Sequence, residues 1–321
     1  MIGIVSHLDD LHAVHVRRHL EQAGAEHLVL DTSSLPTRVA LTTSELPGAG
    51  WRGWWETEGM PTDLRGVHAV WWRRPQPFVL DGAITDPHDR AFARGECAAM
   101  VAGLWQCLEA EWVNDPDRDE AASRKMWQLR VASELGLRVP RTCMTNDPAR
   151  ALAFIESEPG QVVFKSFSAS EVTWRETRLV RDEHRELFDR VRLAPVIFQE
   201  CIPGGFDVRV TIVGDQVFPA EIRAGESSYD LDFRVDTEHA PIDAHRLPES
   251  VERRLLRMLR RLGLRYGAID LRRAPDGDYV FLEVNPAGQW LFIELATGQP
   301  VSAAVARLLG RLDEEVAARA A

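Results

Sequence analysis

Short apolar runs alternate with amphipathic stretches through the first part of the chain. Met1–Ser6 is a continuous apolar run of strand length. Leu11 to Gln22 then repeats its apolar positions every three or four residues, and Gly24 follows as a stop. His27–Leu30 returns to a short strand-like run, so the chain opens in the strand–helix–strand order of an α/β domain. Thr37–Ser44 and Trp51–Glu58 read as strands or a hairpin, and Val67–Arg74 as a further strand closed by Pro75 and Pro77. A long helix is predicted from Asp89 to Leu108, and Glu111–Asn114 returns to the sheet, ending a first unit at Asp115-Pro116.

The second half repeats the alternation with more strands. Ala121–Leu135 predicts a helix stopped by Gly136, followed by a strand around Thr142 and a helix over Pro148–Ser157. Strands are predicted at Val162–Phe167, Thr173–Val180 and Val196–Ile202, with a helix over Asp182–Val191 between the last two. Asp207–Val213 and Gln216–Arg223 form a hairpin turned by Gly214-Asp215. A helix over Pro248–Leu262, a second hairpin (Tyr266–Arg272 and Tyr279–Asn285) and a closing helix over Val301–Ala318 complete the chain. The expected class is α/β in two units, 1–115 and 116–321.

Composition narrows the function. Of 321 residues, 45% are hydrophobic, and the formal charge of −11 argues against nucleic acid as the main ligand. The cluster Arg253, Arg254, Arg257, Arg260 and Arg261 has helical spacing and reads as a solvated face. Cys97, Cys107, Cys143 and Cys201 contain no CxxC pair, which argues against zinc and fits reduced thiols. With no basic, signal-like opening and no apolar run of bilayer length, the expected location is the cytoplasm, without a membrane partner. His12, His15 and His19 read as a polar helix face rather than a metal face. Trp51, Trp54, Trp55, Trp71 and Trp72 read mostly as core or interface.

The densest local signal lies near the end. If the Asp-Gly turn centres on Asp276 and Gly277, Asp270 falls opposite Glu283, with Cβ atoms about 4.5–5.5 Å apart. Asn285 shares their face, while Ile269, Leu271, Leu282 and Val284 are expected to point into a core. Facing carboxylates repel unless a proton or cation lies between them, and with an amide oxygen they form a hard donor set suited to Mg²⁺. Gln199-Glu200 ends an apolar strand, and Asp207 and Arg209 alternate on the next, where charge is costly without partners. Arg223 and Arg234 add cations, and Pro219 leaves the face of Arg223 open. There are 36 arginines against two lysines, Lys125 and Lys165, so those positions are candidates for a compact ammonium beside phosphate.

Lys125 on a helix, Lys165 on a strand, Gln199-Glu200, Asp-x-Arg, then Asp and Glu-x-Asn is a layout that resembles the ATP-grasp ligases. Within them the chain looks most like the graspetide (microviridin-type) peptide macrocyclases. The resembling runs are Trp71-Trp72-Arg73-Arg74-Pro75, Phe198-Gln199-Glu200, Val208 to Gly214, Tyr266 to Asp270 and Asn285-Pro286-Ala287-Gly288-Gln289-Trp290. They fall between Val67 and Gly298, and the last one separates this branch from the ribosomal-protein glutamate ligases. The resemblance implies an ATP-grasp fold, with a lid-like subdomain at about 140–200, behind an α/β pre-ATP-grasp domain, with ATP and Mg²⁺ as cofactors and a ribosomal precursor peptide (leader plus core) as partner. It also implies a homodimer.

By the same resemblance, Lys125 and Lys165 contact nucleotide phosphates. Gln199, Glu200, Cys201 and Ile202 form the adenine hinge, and Asp207 holds the ribose. Asp270, Glu283 and Asn285 carry Mg²⁺; Arg209, Arg223 and Arg234 serve the transferred phosphate. From their place just before Pro75, Arg73 and Arg74 are candidates to meet an acidic peptide, with an interdomain salt bridge as the alternative. Two departures stand out: Ser166-Phe167-Ser168-Ala169-Ser170 lacks the glycines many relatives carry over the phosphates, and Phe233 stands before Arg234 where the family pattern has Trp. The implied reaction crosslinks acidic side chains to Ser, Thr or Lys through an acyl phosphate. Amino-acid addition to a peptide or protein C-terminus, and a non-catalytic nucleotide- or peptide-binding module, are the alternatives.

Overall fold

The computed structural model describes residues 1–48, 50–167, 177–223 and 240–320. The chain begins with strand β1 (Ile2–Val5), helix α1 (Leu11–Gln22) and strand β2 (His27–Val29). Asp10 caps α1 by accepting from the His12 N–H, which fixes where the helix starts. Strands β3 (Val39–Leu46), β4 (Gly50–Thr57) and β5 (Met60–Asp63) make a small antiparallel sheet, of which β5 was not predicted. Strands β6 (Ala69–Trp72) and β7 (Glu111–Val113), on either side of helix α2 (Pro87–Cys107), complete a parallel sheet in the order β2-β1-β6-β7. Parallel strands are covered on both faces, so Ile2, Ile4, Val5, Val70 and Trp71 are all buried.

The predicted helix over 121–135 is two helices, α3 (Pro116–Ala122) and α4 (Lys125–Glu134). The Ser123 hydroxyl bonds back to the Asp119 carbonyl, and Arg124 is extended (φ −74°, ψ 108°), so the axis breaks between them. The break makes Lys125 the first residue of α4.

Strand β8 (Thr142–Thr145), helix α5 (Pro148–Ser157) and strands β9 (Val162–Lys165), β10 (Arg178–Leu179) and β11 (Val196–Glu200) build an antiparallel sheet in the order β10-β9-β11-β8. The helix expected over 182–191 is 3₁₀, spanning Asp182–Leu193. Its buried residues Phe188 and Val191 are three apart, the spacing of a three-residue turn.

The fourth sheet is strands β12 (Phe206–Val213), β13 (Gln216–Ile222), β14 (Ile242–Ala244), β15 (Tyr266–Arg273) and β16 (Tyr279–Asn285), in the order β14-β13-β12-β15-β16. One face is aliphatic: Val208, Val210, Ile212, Ile269 and Leu271 pack against Val251, Leu255, Met258 and Leu259 of helix α6 (Glu249–Leu262). The alternate residues of β12 and β15 face the other way. Short helix α7 (Leu291–Thr297), also not predicted, leads to α8 (Val301–Ala320). The apolar stripe of α8 joins α1, β1 and Trp71 in one core, which ties the end of the chain to its first sheet.

Candidate active site

Strand β12 lies between β13 and β15, and its Asp207 and Arg209 stand directly across from Arg272 and Asp270 of β15. Each cross-strand pair is an ion pair: Asp207–Arg272 at 3.1 Å and Arg209–Asp270 at 2.6 Å. All four side chains are buried, and charge so placed is costly without this compensation. Arg209 also donates to the Gln289 carbonyl, and Arg272 to the Gly204 carbonyl.

Asp270 is opposite Glu283, as the turn predicted. The route to that register differs from the expected one. Arg273 pairs with Tyr279 around an odd-numbered loop, and a β-bulge after Asp270 restores the offset. The bulge absorbs Leu282, which faces the charged side instead of the aliphatic core expected for it. Glu283 is ion-paired with Lys125 from the start of α4. Asp270 and Glu283 therefore each have a cationic partner, and the Asn285 carboxamide lies at the exposed end of the same strand face.

Beside this row is a crevice lined by Val163, Lys165, Thr177, Gln199, Glu200, Cys201, Ile202, Asp207, Arg272 and Leu282. It lies where the sheet of β8–β11 meets the sheet of β12–β16, and residues 201–205 link the two. Gly205 makes that crossing possible: its φ is +70°, and a Cβ there would lie 1.7 Å from the Arg273 carbonyl oxygen. Inside the crevice, Gln199 donates to the Thr142 hydroxyl. The Glu200 carboxylate turns to Arg141, which leaves the hinge's inward groups to its backbone. Burial pushes the Cys201 thiol up, so it stays protonated. Apolar walls, a backbone edge and cations in one crevice are the kinds of group that a purine base and its phosphates require.

The donors at Asp270, Glu283 and Asn285 are all oxygens, and the two carboxylates already face cations. That chemistry fits a hard divalent ion carried in with phosphate. No cluster of three His, Cys, Asp or Glu occurs among the described residues, so a site made by protein alone is not the better description.

Lys165, Gln199, Glu200, Cys201, Ile202 and Asp207 are brought together in the crevice, with Lys125, Arg209, Asp270, Glu283 and Asn285 along the adjoining strands. Arg223 is not brought to them. The register past Pro219 is regular, so Glu221 and Arg223 share the face opposite Arg209. There Arg223 bonds Glu221 and lies 5.6 Å from the Phe206 ring centre. Arg234, Phe233 and the 168–170 part of the serine loop lie outside the described residues.

Arg73 and Arg74 part company. Arg73 is 2% exposed, paired with Asp10 at 3.1 Å and bonded to the Ala287 carbonyl, whereas Arg74 is exposed. Burial opposes ionisation of Asp10, but the bonds from His12 and Ser6 and the Arg73 charge hold its pKa well below the usual range. His12 is buried, not part of a polar face. Burial pushes its imidazole down, and Nε2 accepts from the Trp290 and Leu291 N–H groups. The tryptophans fulfil the core reading: Trp55 and Trp71 are about 1% exposed.

Sequence reasoning missed Arg272, Leu282, Gln128 and Asn114. Arg272 was findable, because it lies two residues beyond Asp270 on the same strand. The others depend on a bulge and on long-range contacts that spacing does not reveal.

Comparison with known proteins places this geometry. Residues 1–120 match the family described as "MvdD pre-ATP grasp domain". The whole chain is similar to the macrocyclase MdnB from Microcystis aeruginosa MRC, at 30% identity and TM-score 0.81, covering 96% of this chain and 98% of that one. It is also similar to MdnC from the same organism, solved with precursor peptide MdnA (28%, TM-score 0.85, 97% and 99% covered). A Chryseobacterium gregarium RiPP-associated ATP-grasp ligase, solved with ADP and a leader and core peptide, matches at 26% and TM-score 0.89 (97% and 96%). Among curated proteins, a probable alpha-L-glutamate ligase from Marinobacter nauticus is 28% identical over 185 residues. That match spans 56% of this chain and 60% of the relative's length.

Proposed function

The chain belongs to the ATP-grasp family of ribosomal-peptide macrocyclases, and from that premise we propose an ATP- and Mg²⁺-dependent ligase that crosslinks side chains of a precursor peptide. The observation that supports it most is the row of paired charges from Asp207 to Glu283, running from the crevice beside Glu200–Ile202 to an oxygen-donor set. A structural core has little use for such a row, whereas phosphoryl transfer needs positioning and charge neutralisation more than covalent help.

In this reading the hinge backbone at Glu200–Ile202 holds the adenine edge, Asp207 the ribose, and Lys165 and Lys125 the phosphates. Asp270, Glu283 and Asn285 would hold Mg²⁺, whose chemistry is to neutralise the β- and γ-phosphate oxygens. Lys125 and Arg209 neutralise the two carboxylates in the resting enzyme and turn to phosphate oxygens when nucleotide enters. A substrate carboxylate oxygen attacks the γ-phosphorus, forming an acyl phosphate as ADP leaves. A Ser or Thr hydroxyl, or a Lys amine, of the same peptide then attacks the carbonyl carbon. Phosphate leaves with the C–O bond electrons, a proton is released, and an ester or amide closes the ring. Arg209, with Arg234, steadies the charge on the transferred group. Arg223 would join them only by turning to the other face of the sheet. Arg74 is the better placed of the two arginines before Pro75 to meet an acidic peptide.

The same proposal divides the chain at 115/116 into a pre-ATP-grasp and an ATP-grasp unit, with the lid-like part at about 140–200. It places the enzyme in the cytoplasm; its four cysteines are unpaired, and no described helix is long and apolar enough to cross a membrane. It includes a homodimer through α2, whose outer face shows Phe92 and Met100 (69% and 40% exposed). Two such helices packed antiparallel about residues 97 and 98 would set Phe92 of each near Gly103 of the other, beside an apolar groove walled by Trp72, Phe78 and Trp105.

Incubation with ATP, Mg²⁺ and the precursor peptide tests the function. Loss of one water per linkage supports macrocyclisation. A gain in peptide mass supports amino-acid addition, the activity named for the curated relatives, and no ATP turnover with any peptide supports a binding module.

A further inference from the structure

Strand β16 is the edge of its sheet, and an edge strand has backbone groups that no neighbouring strand satisfies. At the carrier of Glu283 and Asn285, two buried carboxamides supply those partners. Gln128 accepts from the Val284 N–H at 3.1 Å and donates to the Val284 carbonyl at 2.8 Å, with a second donation to Ala122 at 2.7 Å. Asn114 donates to the Pro286 carbonyl at 3.0 Å and the Tyr266 carbonyl at 2.9 Å, and accepts from the Arg265 and Tyr266 N–H groups. Both side chains are 1% exposed. The amides thus hold residues 284 and 286, while between and before them lie Asn285, whose Oδ1 accepts from the Ala287 N–H at 3.0 Å, and Glu283, paired with Lys125.

Gln128 is one helical turn beyond Lys125, so the two share a face of α4. That face reaches β16 twice: Lys125 meets the Glu283 carboxylate, and Gln128 locks the next peptide unit. A Gln side chain bonded to both groups of one residue fixes the strand's distance and its rotation about its own axis. Rotation is what sets the direction of the Glu283 and Asn285 side chains.

We propose that Gln128 is a positioning residue for the metal: by clamping Val284 it sets the oxygen geometry of Glu283 and Asn285, with Asn114 bracing the far side. The inference rests on the metal assignment made above and extends it to a residue outside the nucleotide crevice. Partners that orient metal ligands from behind affect affinity by roughly 10- to 100-fold when removed.

The test is calorimetric titration of ADP into wild-type protein and Gln128→Met, without metal and over a range of Mg²⁺ concentrations, with thermal unfolding as the control. The expected result is unchanged metal-free ADP affinity and a Mg²⁺ half-saturation shifted upward by about 10- to 100-fold. A purely structural brace would lower the unfolding temperature and the competent fraction but leave half-saturation where it was, which would overturn the proposal. Should Gln128→Met not fold, Gln128→Asn carries the test. It keeps the carboxamide but draws it one methylene back from Val284, so a shift in the same direction is expected and none would overturn the role. Wild-type ADP binding that ignores Mg²⁺ would overturn the metal assignment itself, and the role of Gln128 with it. Wild-type dependence retained unaltered in the folded variants would overturn the Gln128 role alone.

Discussion

The two faces of β12 and β15 are built from alternate residues of the same strands and have opposite chemistry. One presents Val208, Val210, Ile269 and Leu271 to the apolar stripe of α6. The other presents Asp207, Arg209, Asp270 and Arg272, paired across the strands and also buried. Aliphatic residues on both faces would hold the sheet at least as well, since buried ion pairs seldom outperform apolar packing. In the proposed function the charged face is the site, and the aliphatic face is what keeps it rigid.

The sharpest break in that comparison is at the carboxylates. Asp270→Ala and Glu283→Ala are each expected to lower precursor-dependent ATP turnover by roughly 10²- to 10³-fold or more while the protein still folds, measured by ADP release and circular dichroism. The opposite face should show the converse. Leu255→Ala removes a fully buried side chain of α6 and is expected to cost about 2–5 kcal/mol in denaturant unfolding, with turnover per folded molecule unchanged.

Smaller effects sharpen the comparison. Lys125→Arg and Lys165→Arg keep the charge but replace a compact ammonium with a planar fork, and each should weaken ATP use by roughly tenfold in steady-state kinetics. If both variants work normally, the scarcity of lysine is compositional only. Arg223→Ala should change turnover by less than about threefold, far less than Arg209→Ala, because Arg223 is an exposed partner of Glu221 on the other face.

The smallest effect is on pH dependence. Burial raises the Asp119 carboxyl from 3.8 to about 7, against a lowering hydrogen bond from Asn114. Between those values the folded protein holds a proton that the unfolded chain releases, so this group's contribution falls as pH rises from about 4 to 7. Asp119→Asn removes that dependence, and its unfolding temperature relative to wild type should rise from pH 5 to pH 8. A difference that stays flat would contradict the raised value.

Much of this was legible in the chain. Strand alternation and an Asp-Gly turn placed Asp270 opposite Glu283, and the charged residues of an otherwise apolar strand marked Asp207 and Arg209. What escaped was set by tertiary context. The register was right only because an odd loop and a bulge cancel, and the bulge sent Leu282 to the unexpected face. The helix break that aims Lys125 depends on one serine bonding its own backbone. His12 read as part of a polar face, and Arg73 as a peptide contact or an interdomain salt bridge, because their partners Trp290 and Ala287 are more than two hundred residues away.

The central claim is that the charged face moves phosphate onto a substrate carboxylate. It is tested most directly with a precursor peptide whose Asp and Glu carboxylates carry ¹⁸O. The expected result is one labelled oxygen in the released phosphate for each linkage formed, because the acyl-phosphate C–O bond is the one that breaks. Linkages formed with the label left wholly on the peptide would contradict the account.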